Sequence, residues 1–291
     1  MSNKVMILGS GGLGKQIYED FSNNKFNVFL VNRKIIDVEK KFIKLKNLIL
    51  KTKPHYIINC IAKTGTEPCN NSSLEAIKVN SLFPLNLATL TNKLNIKLIH
   101  FSTDAVFEGK TPGKIYSEND RPFPITIYGQ TKFFGEILIK NFPQVLIIRL
   151  PILFGKTQKG QIIDRLLSKL FSSEKIKVST DVYSTPIYNK DVSNFLINLI
   201  KKNKFNFFST KCNKVTHLSS KEYVSLFKFI MKAAIITKNE KLISAAKEKN
   251  FNSKIIKPQY LGLKSIYSRY INDIYKVGMN SKLRNYLKEI K

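Results

Sequence analysis

The segment YGQTK carries a tyrosine and a lysine four residues apart, Tyr128 and Lys132. Positions i and i+4 share one face of a helix, so a phenol and an amine there would project side by side. A free tyrosine titrates near pH ~10. A neighbouring ammonium favours the phenolate and lowers that value, which makes the phenol a usable proton donor or acceptor nearer neutral pH. The chain holds 12 tyrosines and many lysines, so the pair alone is weak. Upstream, FSTDAVFEG brings Ser102, Thr103 and Asp104 to the end of an apolar run. A threonine hydroxyl at that place can hold a reacting oxygen for the tyrosine.

A second constellation opens the chain. GSGGLG, spanning Gly9, Ser10, Gly11, Gly12, Leu13 and Gly14, follows the short apolar run KVMIL and precedes a helical pattern. It fits G-x-G-x-x-G, in which glycine allows the tight turn, the close approach of backbone to a pyrophosphate, and helix against strand. The free N–H groups at the helix start then face the phosphates. The second apolar run, FNVFLV, leads into Asn32, Arg33 and Lys34 with no acid at the tip. A carboxylate there favours NAD and an arginine accommodates a 2′-phosphate, so NADPH is expected before NADH, with Arg33 on the phosphate. An ordinary solvated basic loop is the alternative.

The elements that must position these groups follow a regular alternation. KVMILG, FNVFLV, HYIINCIA, KLIHFST and QVLIIRL read as strands, and the intervening segments carry apolar residues at helical period. Unbroken Val/Ile/Leu runs between helices imply a parallel sheet covered on both faces. The expected fold is α/β, a Rossmann-type doubly wound parallel sheet over residues 1–155. Residues 156–291 are expected to form a smaller, mostly helical substrate-binding lobe, with some segments interleaving with the sheet.

Bulk composition narrows the classes. The formal net charge is +29, but the basic residues are dispersed rather than gathered in one block. Such charge speaks to solubility and non-specific attraction, so no specific nucleic-acid partner is expected. The apolar runs are too short for a membrane span, and the first is too short for a signal-peptide core. Three cysteines, Cys60, Cys69 and Cys212, suit a reducing cytoplasm. His55, His100 and His217 stand at no metal spacing, so no metal is expected. His100, inside a buried strand, reads as a hydrogen-bonded core histidine. Arg149 can meet an anion or pair with a carboxylate.

Taken together, GSGGLG, KPHYIINCIA, HFSTDAVFEGK, YSENDRPFPITIYGQTKFFGE and IIRLPILFG resemble the extended short-chain dehydrogenase/reductases. Within them the sequence is similar to the dTDP-4-dehydrorhamnose reductase branch, which DVYSTPIYNKDVSNFL and KPQYLGLKS also resemble. The resemblance implies an NAD(P)H-dependent reductase of a 4-keto-6-deoxy nucleotide sugar. It makes Tyr128 the general acid, Lys132 the residue that lowers its pKa and binds the nicotinamide ribose, and Thr103 the holder of the substrate carbonyl. It places Asp37 and Val38 near the adenine, and Cys60, Ile61 and Ala62 along the cofactor. Thr64, Glu67, Asp104, Val106, Tyr183 and Thr185 are its candidate substrate contacts, with an ordinary turn as the alternative for 183–185.

Two stretches depart from that branch. Lys63–Glu67 and Leu150–Ile152 differ from its sugar-facing segments, and the chain has no tryptophan. The sugar is therefore open while the redox core is intact. Ala105 stands where the related dehydratases carry glutamate, against dehydration. A nucleotide-sugar epimerase with tightly held NAD, and a catalytically silent cofactor-binding regulatory subunit, are the alternatives. A homodimer is compatible with either.

Overall fold

A computed structural model describes residues 3–32, 42–155, 161–211, 214–251 and 255–290. The first half runs β1 (Lys4–Leu8), α1 (Gly12–Asn23), β2 (Asn27–Val31), α2 (Phe42–Thr52), β3 (Tyr56–Asn59), α3 (Thr66–Asn71) and α4 (Ser73–Ile77). A π-helical turn, Lys78–Leu82, leads into α5 (Phe83–Lys93), followed by β4 (Lys97–Thr103), β5 (Ile115–Tyr116), α6 (Ile127–Ile139) and β6 (Val145–Leu150). The second half adds β7 (Leu153–Phe154), α7 (Ile162–Phe171), β8 (Ile176–Ser179), β9 (Tyr183–Ser184), β10 (Ile187–Tyr188) and α8 (Asn189–Lys201). It continues with β11 (Val215–His217), β12 (Val224–Ser225), α9 (Leu226–Thr237), β13 (Ile243–Ala246), β14 (Tyr260–Leu263) and α10 (Met279–Ile290).

The central sheet has six strands in the order β11-β6-β4-β3-β1-β2, and every pairing in it is parallel. Successive side chains of a strand point to opposite faces, and β1 shows the division. Val5 and Ile7 enter one core with α1 and α8 residues, while Met6 and Leu8 enter the other with residues of α2 and α5. Both faces are thus covered, which is why β1, β3, β4 and β6 are mostly apolar on both sides, with Asn59, His100, Ser102, Thr103 and Arg149 as buried polar exceptions. The chain reverses direction across the sheet at β1, with β2 on one side and β3 on the other. A doubly wound sheet binds its ligands at such a switch point, outside the carboxyl ends of the strands. The glycine loop leaves β1 there, and Thr103 leaves β4 two strands away.

The second half mixes helices with short strands. Its β11 pairs with β6 and completes the central sheet. A small sheet of order β12-β9-β14-β5 joins β5 from the first half to three strands of the second. A third core gathers α7, α9 and α10, with Phe154, Leu167, Phe229 and Leu283 fully buried. No helix among the described residues is long and apolar enough to cross a membrane.

Candidate active site

The glycine loop is shaped by what a side chain would hit. Gly9 sits at φ +101°, a left-handed conformation that only glycine adopts freely. A Cβ on Gly14 would fall on the Gly9 carbonyl oxygen, so this residue lets α1 close down on the turn. A Cβ on Gly11 would meet nothing within 4 Å, which leaves that backbone open in front of α1. Gly9 also lies against the end of β3, where its Cβ would stand 3.2 Å from both the Cys60 carbonyl carbon and the Ile61 nitrogen. The structure therefore brings Gly9, Cys60 and Ile61 together. Leu13 is buried in the first turn of α1, and Asn32 follows β2, whose last residue Val31 accepts from the Gly9 N–H at 2.9 Å. Arg33, Asp37 and Val38 lie outside the described residues.

Helix α6 is set by its own sequence. Thr126 is extended at the N-cap, and its hydroxyl accepts from the Gly129 N–H at 3.1 Å, satisfying one of the unpaired donors of the first turn. Gly129 and Gly135 then allow two close approaches. A Cβ on Gly129 would collide with the Ala105 carbonyl oxygen, and one on Gly135 with that of Asn80. Asn80 and Ser81, on the π-helical turn, pin the same helix. Asn80 Nδ2 donates to Thr131 Oγ1 at 3.1 Å, and Ser81 Oγ donates to the Thr131 carbonyl at 2.6 Å. Asn80 also holds the start of the 63–67 segment, accepting from Lys63 N at 2.9 Å. Tyr128 is thereby placed in the first turn of a helix fixed against the end of β4.

Three hydroxyl and carboxyl groups meet there. Thr103 Oγ1 donates to Asp104 Oδ1 at 3.0 Å and accepts from Ala105 N at 3.2 Å. The Tyr128 hydroxyl stands close enough to the Thr103 hydroxyl for the latter to favour its ionised form. Burial pushes the Asp104 carboxyl up to about 7, against hydrogen bonds from Thr103 and Ala105 that favour its charge. Its Oδ2 and the neighbouring Ser102 Oγ are buried without a protein partner.

Lys132 behaves otherwise than the helix spacing suggests. It is 2% exposed, and its Nζ donates to the Phe101 carbonyl at 2.6 Å and lies 3.4 Å from His100 Nε2. The amine is drawn back onto β4. Burial pushes it down to about 8, against the Glu136 carboxylate one turn away. The expected lowering of the Tyr128 pKa is corrected accordingly. Burial pushes the phenol up, Thr103 opposes this, and Asp104 adds to it. The physical reason is that the lysine charge is spent on β4 backbone rather than on the phenol. At neutral pH Tyr128 keeps its proton.

The remaining candidates are placed as follows. Thr64 and Glu67 are exposed, on and beside α3. Val106 is fully buried with Phe107, Tyr116 and Leu263. The Thr185 hydroxyl accepts from Leu263 N at 2.9 Å and so ties β14. Tyr183 stacks between Tyr223 and Tyr260, with centroids at 5.3 and 5.8 Å. Arg149 meets a carboxylate, forming a two-pronged pair with Glu136 at 3.0 and 2.7 Å. The described residues contain no group of His, Cys, Asp and Glu able to hold a metal ion. Sequence reasoning missed Asn59, Asn80 and Glu136 as supports of the site, while His100, read as a hydrogen-bonded core histidine, is fully buried and bonded to Asn59. Their signal was present as polar residues within buried apolar runs, which need partners.

Comparison with known proteins follows the same geometry. The sequence is 27% identical over 217 residues to methionine adenosyltransferase 2 subunit beta of Danio rerio, covering 68% of this chain and 64% of that protein. It is 33% identical over 151 residues to the probable low-salt glycan biosynthesis reductase Agl14 of Haloferax volcanii, covering 50% of this chain and 49% of that one. The matches thus span between half and two thirds of these relatives' length. The structure superposes on a dTDP-4-dehydrorhamnose reductase of Bacillus anthracis solved with NADP, with a TM-score of 0.87 at 24% identity over 99% of this chain and 100% of the other. The sequence profile described as RmlD substrate binding domain matches residues 3–291. With its glycine turn, its strand-end threonine and the tyrosine helix all inside that match, the chain belongs to the RmlD substrate binding domain family.

Proposed function

We propose that the protein is an NADPH-dependent reductase of a 4-keto-6-deoxy nucleotide sugar, working in surface-polysaccharide synthesis. The observation that carries this reading is the meeting of Thr103 and Tyr128 at the end of β4, with Lys132 bonded to the Phe101 carbonyl of the same strand. The glycine turn fits a dinucleotide, because Gly9 and Gly14 close the turn and Gly11 leaves its backbone open. Gly9 to Gly14, Asn32, and Cys60, Ile61 and Ala62 would hold the cofactor, with Arg33 on a 2′-phosphate. When bound, the cofactor supplies the hydride to the carbonyl carbon. The substrate relatives named for dTDP-4-dehydrorhamnose reduction support the sugar class.

In this mechanism the chain's own groups handle the oxygen and its proton. Tyr128 would donate to the substrate carbonyl oxygen, and the Thr103 hydroxyl would join it by turning its one proton away from Asp104 Oδ1. A phenol that burial keeps protonated is ready to donate to the alkoxide as it forms. The start of α6, where Tyr128 sits, offers a positive dipole end to the phenolate left behind. Lys132 steadies the same charge when it turns forward. Thr64, Glu67, Asp104 and Tyr183 are the proposed substrate neighbours.

Turnover of keto-sugar nucleotides with NADPH tests the reading. Tyr128→Phe and Lys132→Met should each lose on the order of 10²–10⁴-fold in kcat while keeping the fold. Full turnover in both variants would falsify it. A thermal-shift panel of UDP-, dTDP-, GDP- and CDP-sugars then names the nucleotide.

A second reading is favoured by one observation, the likeness to an adenosyltransferase subunit beta. The protein would then bind cofactor and a partner enzyme without turning over sugar. The intact Thr103, Tyr128 and Lys132 weigh against it. Absence of turnover with every keto sugar, together with stable binding to a methionine adenosyltransferase, would establish that alternative.

A further inference from the structure

Lys132 is held from behind by Asn59 and His100, and the direction of each hydrogen bond can be worked out. The Ile61 N–H donates to Asn59 Oδ1 at 3.1 Å. That commits the oxygen and turns the carboxamide nitrogen towards His100 Nδ1, 3.0 Å away. An amide nitrogen only donates, so His100 Nδ1 accepts. His100 is fully buried, and burial holds its pKa well below the usual histidine range. The neutral ring carries one proton, which must therefore sit on Nε2. That N–H faces Lys132 Nζ at 3.4 Å. An ammonium has no lone pair to receive it. A neutral amine does, and it can still donate to the Phe101 carbonyl at 2.6 Å.

We infer that Asn59 and His100 are positioning residues acting through Lys132: they hold an imidazole N–H against Nζ that favours the neutral amine, so that charging the lysine is coupled to its leaving β4 for the phenol in front. The other groups around Nζ leave this balance to the pair. Glu136, one turn on along α6, is bonded to Arg149 through both oxygens. Cys60, at the end of β3, and Cys69, on α3, are neutral thiols that burial pushes up, Cys69 to about 11. Tyr128, one turn earlier on α6, is also protonated. A lysine lowered to about 8 agrees with this arrangement. The effect on turnover rests on the reductase reading; the tautomer does not.

The test reads the tautomer directly. The protein has three histidines, so uniform ¹⁵N labelling of histidine gives a resolvable long-range ¹H–¹⁵N spectrum, with His100 assigned by its loss in His100→Gln. The wild type should show His100 as the Nε2–H form. Its ring nitrogens should shift with a midpoint close to the Lys132 value of about 8, and this step should vanish in Lys132→Met. Asn59→Asp offers one carboxylate oxygen to Ile61 N–H and the other to Nδ1, which should flip the tautomer. The midpoint then rises by about one pH unit or more, and the alkaline limb of kcat rises with it. The KM for the sugar should stay unchanged, which a merely structural role would not select. An Nδ1–H tautomer in the wild type, or a folded Asn59→Asp with an unmoved midpoint, overturns the inference. Should no keto sugar be turned over, the reductase reading fails and the spectra still decide this one.

Discussion

At the scale of single residues, the site is organised by which proton each buried group keeps. Asp104 shows this most plainly. It is 6% exposed, one of its oxygens has no protein partner, and burial lifts it to about 7 from an ordinary 3.8. A carboxyl whose folded pKa is raised contributes stability that is present below the unfolded value and lost as pH rises through the folded one. The wild type should therefore lose stability between about pH 4 and 7 relative to Asp104→Asn, and the gap should flatten above that. A shift of this size corresponds to on the order of 2–4 kcal/mol, which paired thermal melts at pH 4 and pH 8 would resolve. A constant difference between the two proteins across that window would refute the assignment. The same variant keeps an amide oxygen that can accept from the Thr103 hydroxyl in place of the carboxylate.

At the scale of elements, two glycines and one ion pair decide where Tyr128 stands. Gly129 lets α6 touch the turn after β4, and Gly135 lets it touch the π-helical turn at Asn80. Gly129→Ala would push the helix start away from Ala105. The expected cost is about 1–3 kcal/mol from overpacking, with a loss of kcat larger than that of stability. Near-normal kcat in a folded Gly129→Ala would show that this contact does not place the tyrosine. The Arg149–Glu136 pair joins α6 to β6, and Arg149 also stacks over the Phe107 ring at 5.2 Å. On its far side Arg149 Nη1 lies 3.4 Å from His217 Nε2, and burial pushes His217 down to about 4, so it stays neutral. His217 N and Ser265 Oγ both donate to Glu118, which links β11 to the segment after β14. Removing one partner of a buried pair leaves a charge unpaired. Helix α6 is thus wired through polar groups to β11 and to the segment after β14.

At the scale of the whole molecule, the charge of +29 stands apart from the site. The ion pairs on the surface are scattered and exposed, such as Lys169–Glu174 and Lys202–Asp273, and each is worth little. Excess lysine spread in this way should give only sequence-independent attraction to polyanions. Duplex DNA of arbitrary sequence should be retained at ~50 mM salt and released, with a fall of orders of magnitude, by ~200 mM. Filter binding across that range with two unrelated sequences checks it. A sequence preference, or binding that survives the higher salt, would assign the charge a specific partner.

What the sequence determined by itself was the part of the protein written in local signals. Apolar runs of β1, β3, β4 and β6 announced a sheet buried on both faces, because such strands have no polar side to show. GSGGLG announced its turn, because Gly9 and Gly14 occupy places no side chain can. Tyr128, Lys132 and Thr103 were legible through their spacing and their position at strand and helix ends. The short strands of the second half were not, since two-residue strands such as β9 and β12 carry no readable period and owe their existence to partners far along the chain. Only the tertiary structure decided which way Lys132 faces. A long side chain on a predictable helix face still chooses among the acceptors that other strands bring to it. Here the Phe101 carbonyl, 2.6 Å from Nζ, and His100, 3.4 Å away, hold the amine on β4, and burial lowers its pKa to about 8.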